Sequence, residues 1–237
     1  MRVIIIGRGK MGTLLKDSAS AHGHEVIAMA DVANQDEVKP LECDAVIDFS
    51  HPDNLGWVCD YVQTHGCIYI CGTTGLNEEQ KQLLRRTARS CPVFYSANFS
   101  YGIAMLEKML EQVTPLLKED FDMEVVETHH DQKQDAPSGT AAMLVEAMDP
   151  DHAFKRVYGR EGFVGKRGKE IGIHAIRGGT VAGEHTVLYL GQDESLKITH
   201  TASSRMIFVN GAWKALAFMA KRPNGYYTMK DLTGEEQ

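Results

Sequence analysis

The chain has 237 residues, 43% hydrophobic and 24% charged, with 22 Gly and 7 Pro, which excludes collagen-like, low-complexity and disordered chains. Lys and Arg number 25 against 32 Asp and Glu, a net charge of −7, so a general binder of nucleic-acid phosphates is excluded and any anionic ligand needs a local positive site. No apolar run reaches the roughly 18 residues of a membrane span, and Val3–Ile6 is too short for a signal-peptide core. A cytoplasmic protein with neither membrane nor nucleic-acid partner is the expectation.

Short β-branched runs at Val3–Ile6, Glu25–Ala30, Ala45–Phe49, Ile68–Ile70 and Val93–Tyr95 alternate with helical stretches at Lys10–Ala21, Asn54–His65 and Asn77–Arg89. Such alternation predicts parallel strands joined by right-handed crossovers, hence a doubly wound α/β sheet. The continuous apolar run Val3-Ile4-Ile5-Ile6 is that of a parallel strand buried on both faces. Cys43, Cys59, Cys67, Cys71 and Cys91 all fall in this half; their spacings fit neither a zinc nor a redox site, and buried thiols in a reducing compartment are expected.

Directly after the first strand, Gly7-Arg8-Gly9-Lys10-Met11-Gly12 fits G-x-G-x-x-G and opens a helix, the context that this dinucleotide fingerprint requires. Gly7 permits the tight turn, Gly9 lets backbone approach a pyrophosphate, and Gly12 lets helix and strand pack closely. The anion then rests on the free N–H groups and positive dipole end of the helix. Asp31 closes the second strand, where an acid accepts from ribose hydroxyls, and no Arg follows it to clamp a 2′-phosphate. That favours NADH, although Arg8 and Lys10 lie in the loop within reach of a phosphate. Asp48-Phe49-Ser50, Gly72-Thr73-Thr74-Gly75 and Ser96-Ala97-Asn98-Phe99 also fall at carboxyl ends of strands, where ligands of open α/β sheets bind.

After Asn98 the texture changes. Ile103–Leu117 is an amphipathic helix, Glu124–Glu127 a strand and Ala141–Met148 a helix. Ile171–Arg177, Glu184–Gly191 and Ser195–Ala202 are strands linked by Gly-rich turns without helices, which predicts antiparallel pairing among them. A last helix, Gly211–Ala220, returns to the first sheet. The expected plan is a Rossmann-type domain over 1–97 plus 211–237, interrupted by an α+β domain over 98–210.

That inserted domain holds the densest chemistry, in the segment from Glu127 to Ala141. Ser138 is an N-cap candidate, and the N–H groups of Gly139, Thr140 and Ala141 at the helix mouth suit a carboxylate. Lys133 adds a compact positive charge. His129 and His130 point to opposite sides of an extended chain, so one of them can meet the ligand and donate a proton. The segment offers no Cys and no H-x3-H, so no metal is expected. His174 to Gly179, Gly183 to Thr186 and His200 to Arg205 form either a subunit interface or a site wall.

The block His129-His130-x-x-Lys133-x-Asp135-Ala136-Pro137-Ser138-Gly139-Thr140-Ala141 closely resembles the signature of bacterial dihydrodipicolinate reductases, and the resemblance extends in order through the Gly loop, Asp48–Ser50, Gly72–Gly75, Asn98–Ser100, Gly183–His185 and Ser204-Arg205. It implies a Rossmann domain with an inserted substrate domain whose sheet builds a homotetramer. It implies hydride transfer from NADH or NADPH to a small cyclic dicarboxylate, 4-hydroxy-tetrahydrodipicolinate, with loss of water, in lysine and diaminopimelate synthesis. By position, His129 resembles the catalytic acid and Lys133 its partner, while His130, Lys133, Ser138, Gly139 and Thr140 hold the two carboxylates. Two other readings compete: an imine dehydrogenase of the same plan, such as an aspartate dehydrogenase, and a nicotinamide-binding redox sensor without chemistry.

Overall fold

β1 (Arg2–Ile6) is made by the run Val3 to Ile6, each residue at most 1% exposed. In the computed structural model, which describes residues 1–234, it pairs in parallel with both β2 (Glu25–Ala30) and β3 (Ala45–Asp48). The remaining residues, 235–237, end the stretch expected in the nucleotide domain and lie outside the described residues. Between β1 and β2, α1 (Lys10–Ser18) stops short of the expected Ala21, because a 3-10 turn at Ser20–His22 and Gly23 at φ +74° turn the chain back. A one-turn helix, α2 (Gln35–Val38), precedes β3; α3 (Leu55–His65) ends at Gly66, whose φ of +64° suits glycine. β4 (Ile68–Cys71) and β5 (Pro92–Tyr95) extend the parallel sheet, and α4 (Glu78–Thr87) between them starts from an Asn77–Gln80 capping box. Ile4, Ile6, Val46, Val58, Val62, Tyr69 and Leu84 share one core cluster. Each such side chain contributes about 1.5–3 kcal/mol by leaving water. Four of the five cysteines are buried, Cys43 is half-buried, and all are free thiols.

The chain divides into two compact units, Met1–Tyr101 with Met206–Gln237, and Gly102–Arg205. The second carries nearly all of α5 (Tyr101–Leu117), then β6 (Asp122–His129), α6 (Gly139–Met148), β7 (Lys155–Tyr158), β8 (Glu170–Arg177), β9 (Glu184–Leu190) and β10 (Ser195–Thr201). The sheet order is β10-β9-β6-β8-β7. This corrects the expectation of antiparallel pairing throughout. β9 and β10 do pair antiparallel, but β6 lies between β8 and β9, parallel to the former and antiparallel to the latter. The segment 178–183 is therefore no hairpin: it crosses the end of β6, where Gly178 N–H donates to the His129 carbonyl at 3.0 Å. In that middle place five of the eight β6 residues are buried.

Alternation along these strands sets two faces. Met123, Val125, Ile171, Ile173, Val187 and Tyr189 point to the face covered by α5 and α6. Glu124, Gly172 and His174 occupy the other, and Gly172 is needed there because a Cβ would stand 1.8 Å from Glu124 Oε2. Toward the carboxyl end of β6 the covered face turns polar: Glu127 and His129 follow Val125, with Arg177 and His185 across from them.

α7 (Met206–Met219) starts upstream of the expected Gly211, which lies inside it; a Cβ there would sit 1.7 Å from the Phe99 carbonyl oxygen. β11 (Gly225–Tyr227) then joins β5 in parallel, and α8 (Met229–Leu232) follows. The first unit's sheet is thus ordered β11-β5-β4-β3-β1-β2. The chain runs outward from β1 to β2 and returns to β3 on β1's other side, so the carboxyl ends of β1 and β3 flank the crevice where ligands of such sheets bind. Among the described residues, no helix is long and apolar enough to cross a membrane.

Candidate active site

At that crevice Gly7 has φ +103°, and a Cβ on it would approach the Phe49 carbonyl oxygen to 2.7 Å. A Cβ on Gly12 would reach 1.9 Å from the Gly7 oxygen, so loop and helix touch through bare backbone. Gly9 is the opposite case. It is exposed, a Cβ there meets no protein atom within 4 Å, and it caps α1 without any side-chain hydrogen bond. The open side of Gly9 and the uncapped start of α1 are what a pyrophosphate requires.

Beside the loop lies a cleft of about 260 Å³ lined by Met11, Phe49, Ser50, Gly72, Thr74, Ala97, Asn98, Phe99 and Phe208. Eight of these nine were expected from the sequence; Phe208, on α7, left no sequence signal. The Phe49 and Phe99 rings pack 5.0 Å apart, and Gly72 is bare because a Cβ would meet the Phe49 ring at 2.5 Å. Thr73, and Ser50 besides lining the cleft, serve a buried hub. Asp48 Oδ1 accepts from the Thr73 hydroxyl (2.8 Å), the Ser50 hydroxyl (2.5 Å) and the Ser50 N–H (3.0 Å), while Oδ2 accepts from the Tyr69 hydroxyl (2.8 Å). Burial pushes the Asp48 carboxyl up from its ordinary range, against the pull of those donors. Ser96 likewise shapes its own loop, its hydroxyl donating to the Asn98 carbonyl at 2.6 Å. At the far end of the loop, Asp31 takes the Ala33 N–H on one oxygen, and Arg8 Nε stands 3.8 Å from the other.

In the second unit, the polar end of the covered sheet face holds a closed network. Glu127 is fully buried. Its Oε2 meets His129 Nδ1 at 2.5 Å and accepts from Arg177 at 2.9 Å; its Oε1 accepts from Arg177 at 2.8 Å and from the Ser138 N–H at 3.0 Å. Burial works against the charge on Glu127, yet the bonds from Arg177, His129 and Ser138 hold the carboxyl below its usual range. Ser138 is the N-cap of α6, as its sequence position predicts, its hydroxyl accepting from the Ala141 N–H at 3.1 Å and lying 3.0 Å from His185 Nε2. Ser138 and the Ala141 N–H are therefore engaged within the protein, and the exposed Gly139 is the more open part of the helix start. Burial, and next the nearby His129, pull His185 down to about 4, so it is neutral near pH 7.

Lys133 Nζ donates to both oxygens of Asp135, at 2.7 and 2.9 Å, and this bond holds the Asp135 carboxyl below its ordinary value. The Lys133 loop is tethered to the network because Arg177 also donates to the Asp135 carbonyl, at 2.6 Å. His129 is buried and His130 half-buried. Of the three clusters that sequence could not assign, Arg177 and His185 belong to this network. His174 faces the other way, 2.7 Å from Glu124. Glu127 escaped the sequence reading although it stands two residues before His129; only a known strand makes that spacing a shared face.

A parallel six-stranded sheet with a glycine loop at its reversal point, joined to a mixed-sheet unit bearing a His–carboxylate network, defines a Rossmann-type oxidoreductase. Comparison with known proteins narrows this. The family described as dihydrodipicolinate reductase, N-terminus, matches residues 1–99, and its C-terminus counterpart matches residues 102–233. A 4-hydroxy-tetrahydrodipicolinate reductase of Alkaliphilus metalliredigens is 38% identical over 238 residues, covering 99% of each chain. That of Staphylococcus saprophyticus is 39% identical, covering 98% of this chain and all of its own. A dipicolinate-bound dihydrodipicolinate reductase from Paenisporosarcina sp. TG-14 shares the fold, with a TM-score of 0.75 at 21% identity over 96% of this chain and 97% of that one. The chain belongs to the dihydrodipicolinate reductase family.

Proposed function

We propose that the chain reduces 4-hydroxy-tetrahydrodipicolinate with NADH or NADPH, releasing water and giving tetrahydrodipicolinate in lysine and diaminopimelate synthesis. The observation that carries this is the meeting of His129, the Ser138-capped start of α6 and the tethered Lys133 loop around one buried carboxylate.

A bound nicotinamide nucleotide supplies the hydride. Gly9, Lys10 and Met11 receive its pyrophosphate, Asp31 its ribose, and the cleft between Phe49 and Asn98 its nicotinamide end. The Asp48 hub acts through Ser50 and Thr73, holding in register the two loops that would border the nucleotide. Arg8 beside Asp31 provides the charge that a 2′-phosphate needs, which supports use of both nucleotides. In the second unit, Lys133 exchanges the Asp135 carboxylate for one of the substrate's, a partner of equal charge and shape. Gly139 and Thr140 at the helix start, with His130, take the other carboxylate. His129 donates the proton from Nε2, since Nδ1 is committed to Glu127.

The open face of the second unit's sheet supports a homotetramer, and the composition supports a cytoplasmic location. Oxidation of each nucleotide in an assay coupled to dihydrodipicolinate synthase tests the activity. Turnover dependent on the synthase product is expected with both nucleotides; oxidation with an aspartate-derived imine instead would favour an imine dehydrogenase.

A further inference from the structure

We propose that Glu127 is the positioning residue that couples the proton donor to the carboxylate cradle, one oxygen fixing the His129 ring and the other fixing the N-cap of α6. The inference rests on the reductase reading for the role of His129 but on this chain's own geometry for the coupling.

Three elements converge on this one buried side chain. His129 lies on Glu127's own strand and reaches Oε2 at 2.5 Å; the Ser138 N–H, from the loop before α6, reaches Oε1 at 3.0 Å; Arg177, at the end of β8, spans both oxygens at 2.9 and 2.8 Å. An ionised carboxylate only accepts hydrogen bonds, so His129 must carry its hydrogen on Nδ1. That leaves Nε2 as the atom able to give and take the catalytic proton. Gly183 keeps the approach to it open: its φ is +154°, and a Cβ there would come within 3.0 Å of Nε2. The other charged or titratable groups facing this centre are His185 from β9, edge-on to the His129 ring at 5.1 Å between centroids, and beyond it His200 from β10 and Lys133 from the loop.

Arg177 extends the same joint. Besides clasping Glu127 it donates to the Asp135 carbonyl, on the residue that holds Lys133. A displacement of Glu127 would therefore disturb the acid, the helix start and the Lys133 loop together.

Glu127→Gln changes one oxygen to an amide nitrogen in a side chain of the same shape. The remaining amide oxygen still accepts the Ser138 N–H, but the new NH₂ group then faces His129 Nδ1 and demands an acceptor there, which reverses the ring tautomer. Expected are a fall in kcat of about hundredfold, a KM and an NADH affinity close to wild type, an alkaline limb of the kcat–pH profile displaced to lower pH, and ¹⁵N ring signals of His129 switched to the other tautomer. Because the substitution strands the Arg177 charge, the double variant Glu127→Gln with Arg177→Met is measured alongside; it should recover melting temperature and leave kcat low. Wild-type kcat, pH profile and ring signals in Glu127→Gln would overturn the proposal, as would recovery of kcat together with stability in the double variant. An inactive wild type would contradict the reductase reading alone, because the ring signals report Glu127's hold on His129 without turnover.

Discussion

Gly9 and Gly12 stand three residues apart, one capping α1 and one in its first turn, and do different things. A methyl on Gly12 would overlap the Gly7 carbonyl oxygen, a backbone atom that cannot swing aside, whereas one on Gly9 meets open space and an extended backbone that alanine tolerates. Gly12→Ala should cost about 1–3 kcal/mol of stability. Gly9→Ala should melt within about 0.5 kcal/mol of wild type while binding NADH more weakly, because its methyl points to where the pyrophosphate approaches. Thermal melts with and without NADH measure both, and equal melting of the two variants would contradict the packing argument. These glycines, and Ser138 as a helix cap, were legible in the sequence because each answers a local backbone demand. Asp48, Glu127 and Arg177 were not, because a buried carboxylate declares itself only when its donors, drawn from residues far along the chain, are brought to it.

Strands β1 to β5 and helices α1, α3 and α4 of the first unit were legible because the buried parallel strands are short apolar runs and these helices carry start and stop signals, whereas the one-turn helices α2 and α8 are too short to show a periodic pattern. β7 and β11 escaped because they are edge strands, four and three residues long, with little apolar pattern. The pairing of β8 with β6 escaped for another reason: turn composition shows that no helix intervenes, not which strand will be the neighbour. The sheet's uncovered face leaves Ile176 half exposed, with Leu188, Leu190 and Val126 alongside, and Phe163 fully exposed on the segment between β7 and β8. A face of this kind is normally covered by another copy. Light scattering in solution should give the mass of four chains; a monomer would remove the homotetramer.

Across the whole molecule, an acidic chain that handles a dianion must concentrate positive charge in one place; the proposed site puts Lys133 and the start of α6 to that use within a single unit, while the glycine loop and its cleft lie in the other. Nucleotide binding and diacid chemistry are therefore separable by substitution. The direct test is Lys133→Ala, measured for NADH affinity by titration and for turnover in the coupled assay. NADH affinity within about twofold of wild type, with kcat/KM reduced by about hundredfold or more, is the predicted result. Undiminished turnover, or a loss of NADH affinity as large as the loss of turnover, would contradict it.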